Sequence, residues 1–448
     1  MRPNLNPVSR SRESADQFLF SKTEVRHPEE KPVTESFPGQ EQLAASFPEA
    51  AVGKAFTDLV ENHLSTAFSF SAMMVKIDNF PEDAVSDENV AILMDTAKII
   101  HQCCKPHQGL WGRLDRDLFG CLFPEKNVSA CLSVAEKIRK MHSVARDDTV
   151  SIGIASYPTI NYTRAQILEN ARKALDHAAF FGSDSTVPFD SVSLNISGDN
   201  HYARGDVPGA IEEFKKALLI DPSNVNVHNS LGVCYGVMED LDKALEAFDT
   251  TVWLDPEEFM AMYNMGIVNL LRKDNEKALA CFLKADHMGE DVFEIALQTG
   301  KLYLELDDPE KGRPYLEKAV RLDTDAGTAF RYLGDCLSAL DDTAGAISAF
   351  RSSVKLNPND AAALSGLGCM YDHQGESLEI STTFCLQSVE ISPENGLYRH
   401  RLGTLYLKQN RFEEALKEFE IARTLGHDST ELIEETQNRL SAETPQNS

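Results

Sequence analysis

An α/β domain followed by an array of paired α-helices is the fold the sequence predicts, and three observations predict it. The chain has 448 residues, more than one hydrophobic core organises, so two or three domains are expected. Between about residues 52 and 190, apolar runs rich in β-branched residues alternate with amphipathic ones in the order βαββαβα, as when helices pack on a sheet. Beyond residue 191 a glycine recurs at Gly198, Gly232, Gly266, Gly300, Gly334, Gly368 and Gly403, with intervals of 34 residues and a last one of 35. Such a period marks a stacked repeat.

Residues 1–50 mix Pro, Ser, Glu and Gln with two brief apolar clusters, QFLF (17–20) and SFPG (36–39). That composition reads as a disordered tail. QFLF is either part of a merely flexible tail or a docking motif, for a partner or for this chain's own helical array.

The α/β domain, 51–190, opens with the amphipathic AFTDLVENHLSTAF and the strand FSAMMVKIDNF. A helix (NVAILMDTAKIIHQCC) leads to two short strands around GLWGRLDRDLFGCLFPE. Helix ACLSVAEKIRKMH, strand TVSIGIASYP and helix RAQILENARKALDHAAFFG complete it.

In the array, 191–428, a small residue follows each glycine by twelve positions: Ala210, Ala244, Ala278, Gly312, Ala346 and Ala415, with Ile380 the exception. Four positions later stands a large apolar residue: Phe214, Phe248, Phe282, Leu316, Phe350, Phe384 and Phe419. Small residues let two antiparallel helices approach, and the large one fills the space beside them. Pro222, Pro256, Pro358 and Pro393 close units because proline cannot continue the hydrogen-bond ladder. Residues 429–441 predict a polar capping helix, which keeps the last apolar face from water, and 442–448 a flexible tail.

Charge narrows the function classes. The chain has 43 basic and 70 acidic side chains, a net of −27, which disfavours nucleic acid and anionic lipid as partners. Residues 191–448 hold 23 basic and 44 acidic side chains, a net of −21, so most of the excess belongs to the array. No run reaches the ~18 apolar residues of a membrane helix, and the first thirty residues have no apolar signal core; a cytoplasmic protein is expected. Nine cysteines, an odd number without a C-x-x-C pair, read as buried reduced thiols rather than disulfides or a zinc site. The spacing of His101 and Cys104 could share a helix face, but no further ligands accompany them.

With its 34-residue period, its Gly/Ala/Phe pattern and its closing prolines, the array resembles the tetratricopeptide repeat (TPR), seven units of which would form an all-α superhelical solenoid. That resemblance implies a concave groove lined by places six, three and two residues before each glycine and one after. Asn226, Asn229, Tyr263, Asn264, Lys301, Arg331 and Arg401 fall there, with His400 beside the last. A protein or peptide partner is the ligand the resemblance implies.

KIDNF, GRLDRDLFGCLFP and VSIGIA, in this order and at these distances, resemble three segments of the bacterial diguanylate cyclase (GGDEF) domain, a nucleotide-cyclase-like fold. In that family two carboxylates hold Mg²⁺ over a GTP triphosphate and basic residues neutralise phosphate. Lys76 stands where the family has a metal-binding Asp, with Asp78 two residues on. The signature turn is Asp115-Arg116-Asp117-Leu118-Phe119, without its two glycines and with Leu118 in place of Glu. Ala179 and Ser183 replace a phosphate-binding Lys and the Arg after it. Lys105-Pro106-His107-Gln108-Gly109 replaces the Arg-x-x-Asp of the product-inhibition site. The resemblance therefore implies a degenerate domain with no cofactor or metal, kept for docking or homodimerisation. The expected function is a non-enzymatic bacterial signalling adaptor or scaffold. Its rivals are an effector whose GGDEF-like domain senses GTP or cyclic di-GMP and gates the solenoid, and an active cyclase, which the residue losses argue against.

Overall fold

The computed structural model describes Phe18 and residues 39–64, 67–81, 86–289 and 291–443. They fall into two compact units, Met1–Asn264 and Met265–Ser448.

The first unit begins earlier than the sequence predicts. Helix α1 (Gln40–Ser46) lies at the end of the segment read as disordered, and strand β1 (Ala51–Val52) opens the expected domain. Leu43 explains the difference: its side chain is buried in the sheet's core, and burying a leucine is worth roughly 1.5–3 kcal/mol. Residues 1–17 and 19–38 lie outside the described residues.

Helix α2 (Lys54–Leu64), strand β2 (Phe70–Ile77), helix α3 (Asp87–Cys104), strands β3 (Leu110–Arg113) and β4 (Leu118–Pro124), helix α4 (Val128–Ala145), strand β5 (Val150–Tyr157), helix α5 (Ile167–Ala178) and strand β6 (Thr186–Pro188) follow. The sheet order is β1-β3-β4-β2-β5-β6. Short edge strands β1 and β6 pair in parallel and the four central strands antiparallel. Alternate residues of β2 serve opposite faces. Met73, Val75 and Ile77 join Ile92, Ile100, Ile138 and Phe123 on one side. Phe70, Ala72 and Met74 join Phe56, Leu122 and Leu175 on the other. With both faces covered, the central strands read as nearly unbroken apolar runs.

The second face does not end with the α/β domain. Its core continues through Leu194, Phe214, Leu231 and Cys234, on helices α6 (Ser191–Ala203), α7 (Val207–Ile220) and α8 (Val225–Val237). A buried ion pair between Lys173 of α5 and Glu213 of α7 adds to the contact. The compact unit therefore runs past 190, the boundary expected from sequence, because the first repeats complete the domain's core.

Helices α9 (Leu241–Leu254), α10 (Phe259–Leu271), α11 (Asn275–His287), α12 (Phe293–Glu305), α13 (Pro309–Leu322), α14 (Gly327–Ala339), α15 (Thr343–Leu356), α16 (Ala361–Gln374), α17 (Leu378–Ile391), α18 (Gly396–Lys408) and α19 (Phe412–Thr424) continue the pairing, and α20 (Thr430–Glu443) closes it. The glycine rule has a direct cause. A Cβ on Gly232 would meet the Phe248 ring at 2.6 Å, and one on Gly334 would meet Phe350 at 2.6 Å. The sixth pair departs from the sequence reading: a Cβ on Gly368 would meet Sγ of Cys385 at 2.6 Å and the Ser381 carbonyl at 2.8 Å. The inserted residue lies in the turn around Gly375, the left-handed C-cap of α16. Ser381 and Cys385 thus take the small and large places assigned to Ile380 and Phe384, and Phe384 packs on Tyr371 instead.

A second 34-residue period supports the fold. Asp206, Asp240, Asp274, Asp308 and Asp342 each cap the second helix of a pair, accepting a backbone N–H three residues on at 3.0–3.4 Å. Such a cap is worth about 0.5–2 kcal/mol. Asp342→Ala should lower stability by that amount in a urea titration, whereas Asp342→Asn should cost only a fraction of it.

Candidate functional site

Two places carry polar side chains that the sequence singled out. The first is the end of β2 with the β3–β4 turn. Lys76 is exposed and sits in register between Leu118 and Ser151. Asp78 is occupied within the fold. Its Oδ2 accepts the Thr149 hydroxyl at 2.6 Å and the Asp184 backbone N–H at 2.9 Å, so this carboxylate ties β2 to the segments before β5 and β6.

The turn is built on Arg113, which is 1% exposed. Its Nε donates to the Asp115 carbonyl at 3.0 Å and its Nη2 to the Arg116 carbonyl at 2.6 Å. Burial lowers this guanidinium to about 10, with Asp115 and Asp117 opposing. Oδ1 of Asp115 accepts the Arg116 N–H at 2.7 Å. The Arg116 side chain lies over the Phe80 ring at 5.5 Å and donates to the Pro81 carbonyl at 2.7 Å. Asp117 is partly desolvated, which raises its carboxyl, while Lys76 pulls it down. Leu118 and Phe119 are buried on opposite faces of the sheet. Ala179 and Ser183 are exposed, and Asn79 Nδ2 approaches the Ser183 hydroxyl at 3.4 Å.

This donor set does not fit Mg²⁺. Oδ2 of Asp78 already accepts two internal donors, Asp117 feels the Lys76 ammonium, and no group of three His, Cys, Asp or Glu side chains suited to a metal occurs among the described residues. His101 meets Glu49 at 3.2 Å and the rings of Phe47 and Trp111.

The second place is the face of the first helices in each pair that the repeat resemblance assigns to a groove. In the second unit, Lys301 lies 5.7 Å from the Tyr332 ring and 3.8 Å from Glu305. Arg331 stacks on Tyr332 at 4.0 Å and reaches Asp360 at 3.4 Å and Asp335 at 3.6 Å. Burial works against the Arg331 charge, but Tyr332, Asp360 and Asp335 more than offset it and hold the guanidinium above its ordinary value. Arg401 donates to the Ser365 hydroxyl at 3.0 Å. The face thus carries alternating charges with tyrosines, rather than a row of cations. Asp335 and Ser365 occupy the same counted places and were legible there, yet the sequence reading singled out the cations; Asp360 lies outside those places.

In the first unit Asn226 is exposed, but Asn229 and Tyr263 are 1% exposed and Asn264 is fully buried. Asn264 Nδ2 donates to Asn229 Oδ1 at 3.0 Å, so these amides form a buried ladder rather than an open surface. His400 is not a groove residue. Its Nδ1 pairs with the Ser429 hydroxyl at 2.8 Å, and its ring packs on Phe419 and His427, because the segment entering α20 offers it both partners.

Desolvation at the groove floor pushes Asp335 up to about 6, against the pull of Arg331 and Arg401 and with Asp360 adding to the rise. A folded value above that of a free carboxyl (about 3.9) means that Asp335 adds stability below about pH 4 and loses it as pH rises through 6. With 45% of the side chain open to water, screening keeps that contribution small. Carboxyl-carbon NMR should find its midpoint near pH 6, moved upward in Arg331→Ala; a midpoint near 4 would contradict this geometry.

Comparison with known families agrees with both halves. Residues 50–183 match the family model of the diguanylate cyclase GGDEF domain. Residues 198–236 match a TPR repeat model, and residues 235–291 and 297–361 a tetratricopeptide repeat model. The chain therefore carries a GGDEF domain followed by tetratricopeptide repeats.

Solved structures similar to it are TPR proteins. YrrB, described as having an unusual peptide-binding site, is 24% identical over 42% of this chain and 97% of its own, with a TM-score of 0.40. Pseudomonas aeruginosa PilF is 20% identical over 47% of this chain and 95% of its own, with a TM-score of 0.43. A tetratricopeptide repeat protein from Parabacteroides merdae is 17% identical over 56% and 98%, with a TM-score of 0.40. No curated protein matches the chain.

Proposed function

We propose that the chain is a non-enzymatic adaptor of a bacterial signalling pathway. Its repeats bind a protein partner along the groove, while the GGDEF domain, catalytically silent, serves docking or dimerisation. The observation that carries this reading is the state of the cyclase turn. Lys76 replaces a metal carboxylate, the remaining Asp78 is bonded to Thr149 and Asp184, and Arg116 lies across the turn where a glycine would leave room. Backbone approaches a nucleotide closely only where no Cβ or longer side chain intrudes.

The groove of the second unit supports the binding half. Lys301 and Arg331 are cations held against tyrosine or acidic neighbours, and Arg401 is held by the Ser365 hydroxyl. A rigid array binds an extended segment with little ordering cost of its own. Recognition there suits a segment with acidic and aromatic side chains, which exchange ion pairs with Asp335 and Asp360 and stack as Tyr332 does.

The test is recovery of a partner from the native cell by Lys301→Glu and Arg331→Glu variants. Recovery should fall at least tenfold, a loss of ~1.4 kcal/mol or more, with circular dichroism unchanged. Full recovery with both variants would remove the groove from the account. Asn229 is unsuited to this test, since its burial makes any substitution structural.

A further inference from the structure

Much of the groove face of the first two helix pairs is buried, and a residue from far upstream lies against it. Phe18, from the QFLF cluster, is 6% exposed. Its ring lies over Gly236 of α8: a Cβ there would meet Cζ at 2.5 Å and Cε1 at 3.0 Å. Gly236 stands four residues after Gly232. The matching places of the other pairs hold Tyr202, Leu270, Leu304, Ser338, Asp372 and Leu407. The second pair alone lacks a side chain there, which leaves a socket the width of a ring.

The surroundings agree. Asn229, Val233 and Gly236 recur at i, i+4 and i+7, one face of α8. Val233 is fully buried, and Asn195 and Asp199, at the corresponding places of α6, are each 4% exposed. In the second unit, Asp335 at the place of Val233 keeps 45% of its side chain exposed. Oδ1 of Asn195 and Oγ of Ser230 are buried without a hydrogen-bond partner among the described residues. An extended peptide backbone supplies the donors that such groups lack.

We propose that Phe18 is the chain's own groove ligand. Phe18 seats in the Gly236 socket and occupies the first two repeats, so a partner with an aromatic-anchored segment must displace it. This deepens the groove reading above by naming the anchor and a self-occupied state. Tethered about twenty residues from Gly39, Phe18 acts at an effective concentration on the order of millimolar, so a free peptide with the same contacts competes poorly.

The test uses the full chain and a fluorescent peptide of residues 13–24 (ESADQFLFSKTE). Phe18→Ala empties the socket, and the peptide should bind it at least tenfold more tightly than it binds the wild-type chain. The double variant Phe18→Ala/Gly236→Ala should lose that gain, because the added methyl fills the socket. Alanine favours a helix over glycine, so this variant keeps its fold, checked by its melting temperature. A peptide carrying alanine in place of Phe18 should bind none of these proteins. Equal affinity for wild type and Phe18→Ala, or binding that survives Gly236→Ala, overturns the proposal. Hydrogen exchange gives an independent reading: the α8 amides should exchange faster in Phe18→Ala, and unchanged protection overturns it as well. Because the assay needs no external partner, its failure leaves the partner-capture test of Lys301 and Arg331 standing, and the reverse holds too.

Discussion

Phe350→Ala is expected to lower the stability of the repeats by about 3–5 kcal/mol, the usual cost of removing a fully buried aromatic ring. The ring is 1% exposed and meets two glycines at once. A Cβ on either Gly334 or Gly366 would come within 2.6 Å of it. It therefore fills the space inside one helix pair and part of the space toward the next, and neither backbone can collapse into the cavity it would leave. Stacked repeats depend on such interfaces pairwise, so the denaturation midpoint should fall and the transition should broaden. Phe384→Ala is the control. By sequence spacing it is the equivalent residue, but the lengthened turn at Gly375 has moved it to the half-buried contact with Tyr371. It should cost less than half as much. Equal losses for the two variants would mean that the sixth pair keeps the uninterrupted spacing after all.

The second large effect is an absence of chemistry. Incubation with GTP and Mg²⁺ should yield no cyclic di-GMP. Two unit charges 4 Å apart exchange roughly 4 kcal/mol at an effective dielectric of about 20. Exchanging a carboxylate for the Lys76 ammonium thus turns several kcal/mol of attraction for a divalent ion into repulsion, and each ~1.4 kcal/mol is a factor of ten in rate. Asp78 offers no substitute, because Thr149 and Asp184 already use its oxygen. Its role here is structural: Asp78→Ala leaves a hydroxyl and an N–H unpaired and should cost about 1–3 kcal/mol in unfolding free energy. Restoring one group should not restore activity. Lys76→Asp still leaves Arg116 across the turn, bonded to the Pro81 carbonyl. Product from the wild-type chain that disappears in Asp117→Ala would reverse this conclusion.

The parts of the fold legible in the sequence were those with a strict period. Glycines 34 residues apart report helix pairs whose backbones touch, and βαββαβα reports a sheet with helices on it. Harder to see were features whose cause lies elsewhere in the chain. Leu43 orders α1 through a core that its own neighbourhood does not reveal. The compact unit extends past 190 because Phe214 and Leu231 finish the domain's second face. At the candidate sites, the places that the repeat resemblance implies hold Arg331, Lys301 and Arg401, and the sequence showed that these are cations. The same resemblance misplaced His400, whose partners Ser429 and His427 belong to the closing segment. It could not tell that Asn229 and Asn264 would be buried. The role of Arg113, a buried cation lacing the turn by two carbonyls, left no local signal either.

Calorimetric titration of the full chain with GTP in excess Mg²⁺ tests most directly whether the first domain has given up its nucleotide. The account predicts no saturable heat at millimolar ligand, and the same flat trace for Asp117→Ala. A one-to-one isotherm in the wild type that needs Mg²⁺ and vanishes in Asp117→Ala would contradict it.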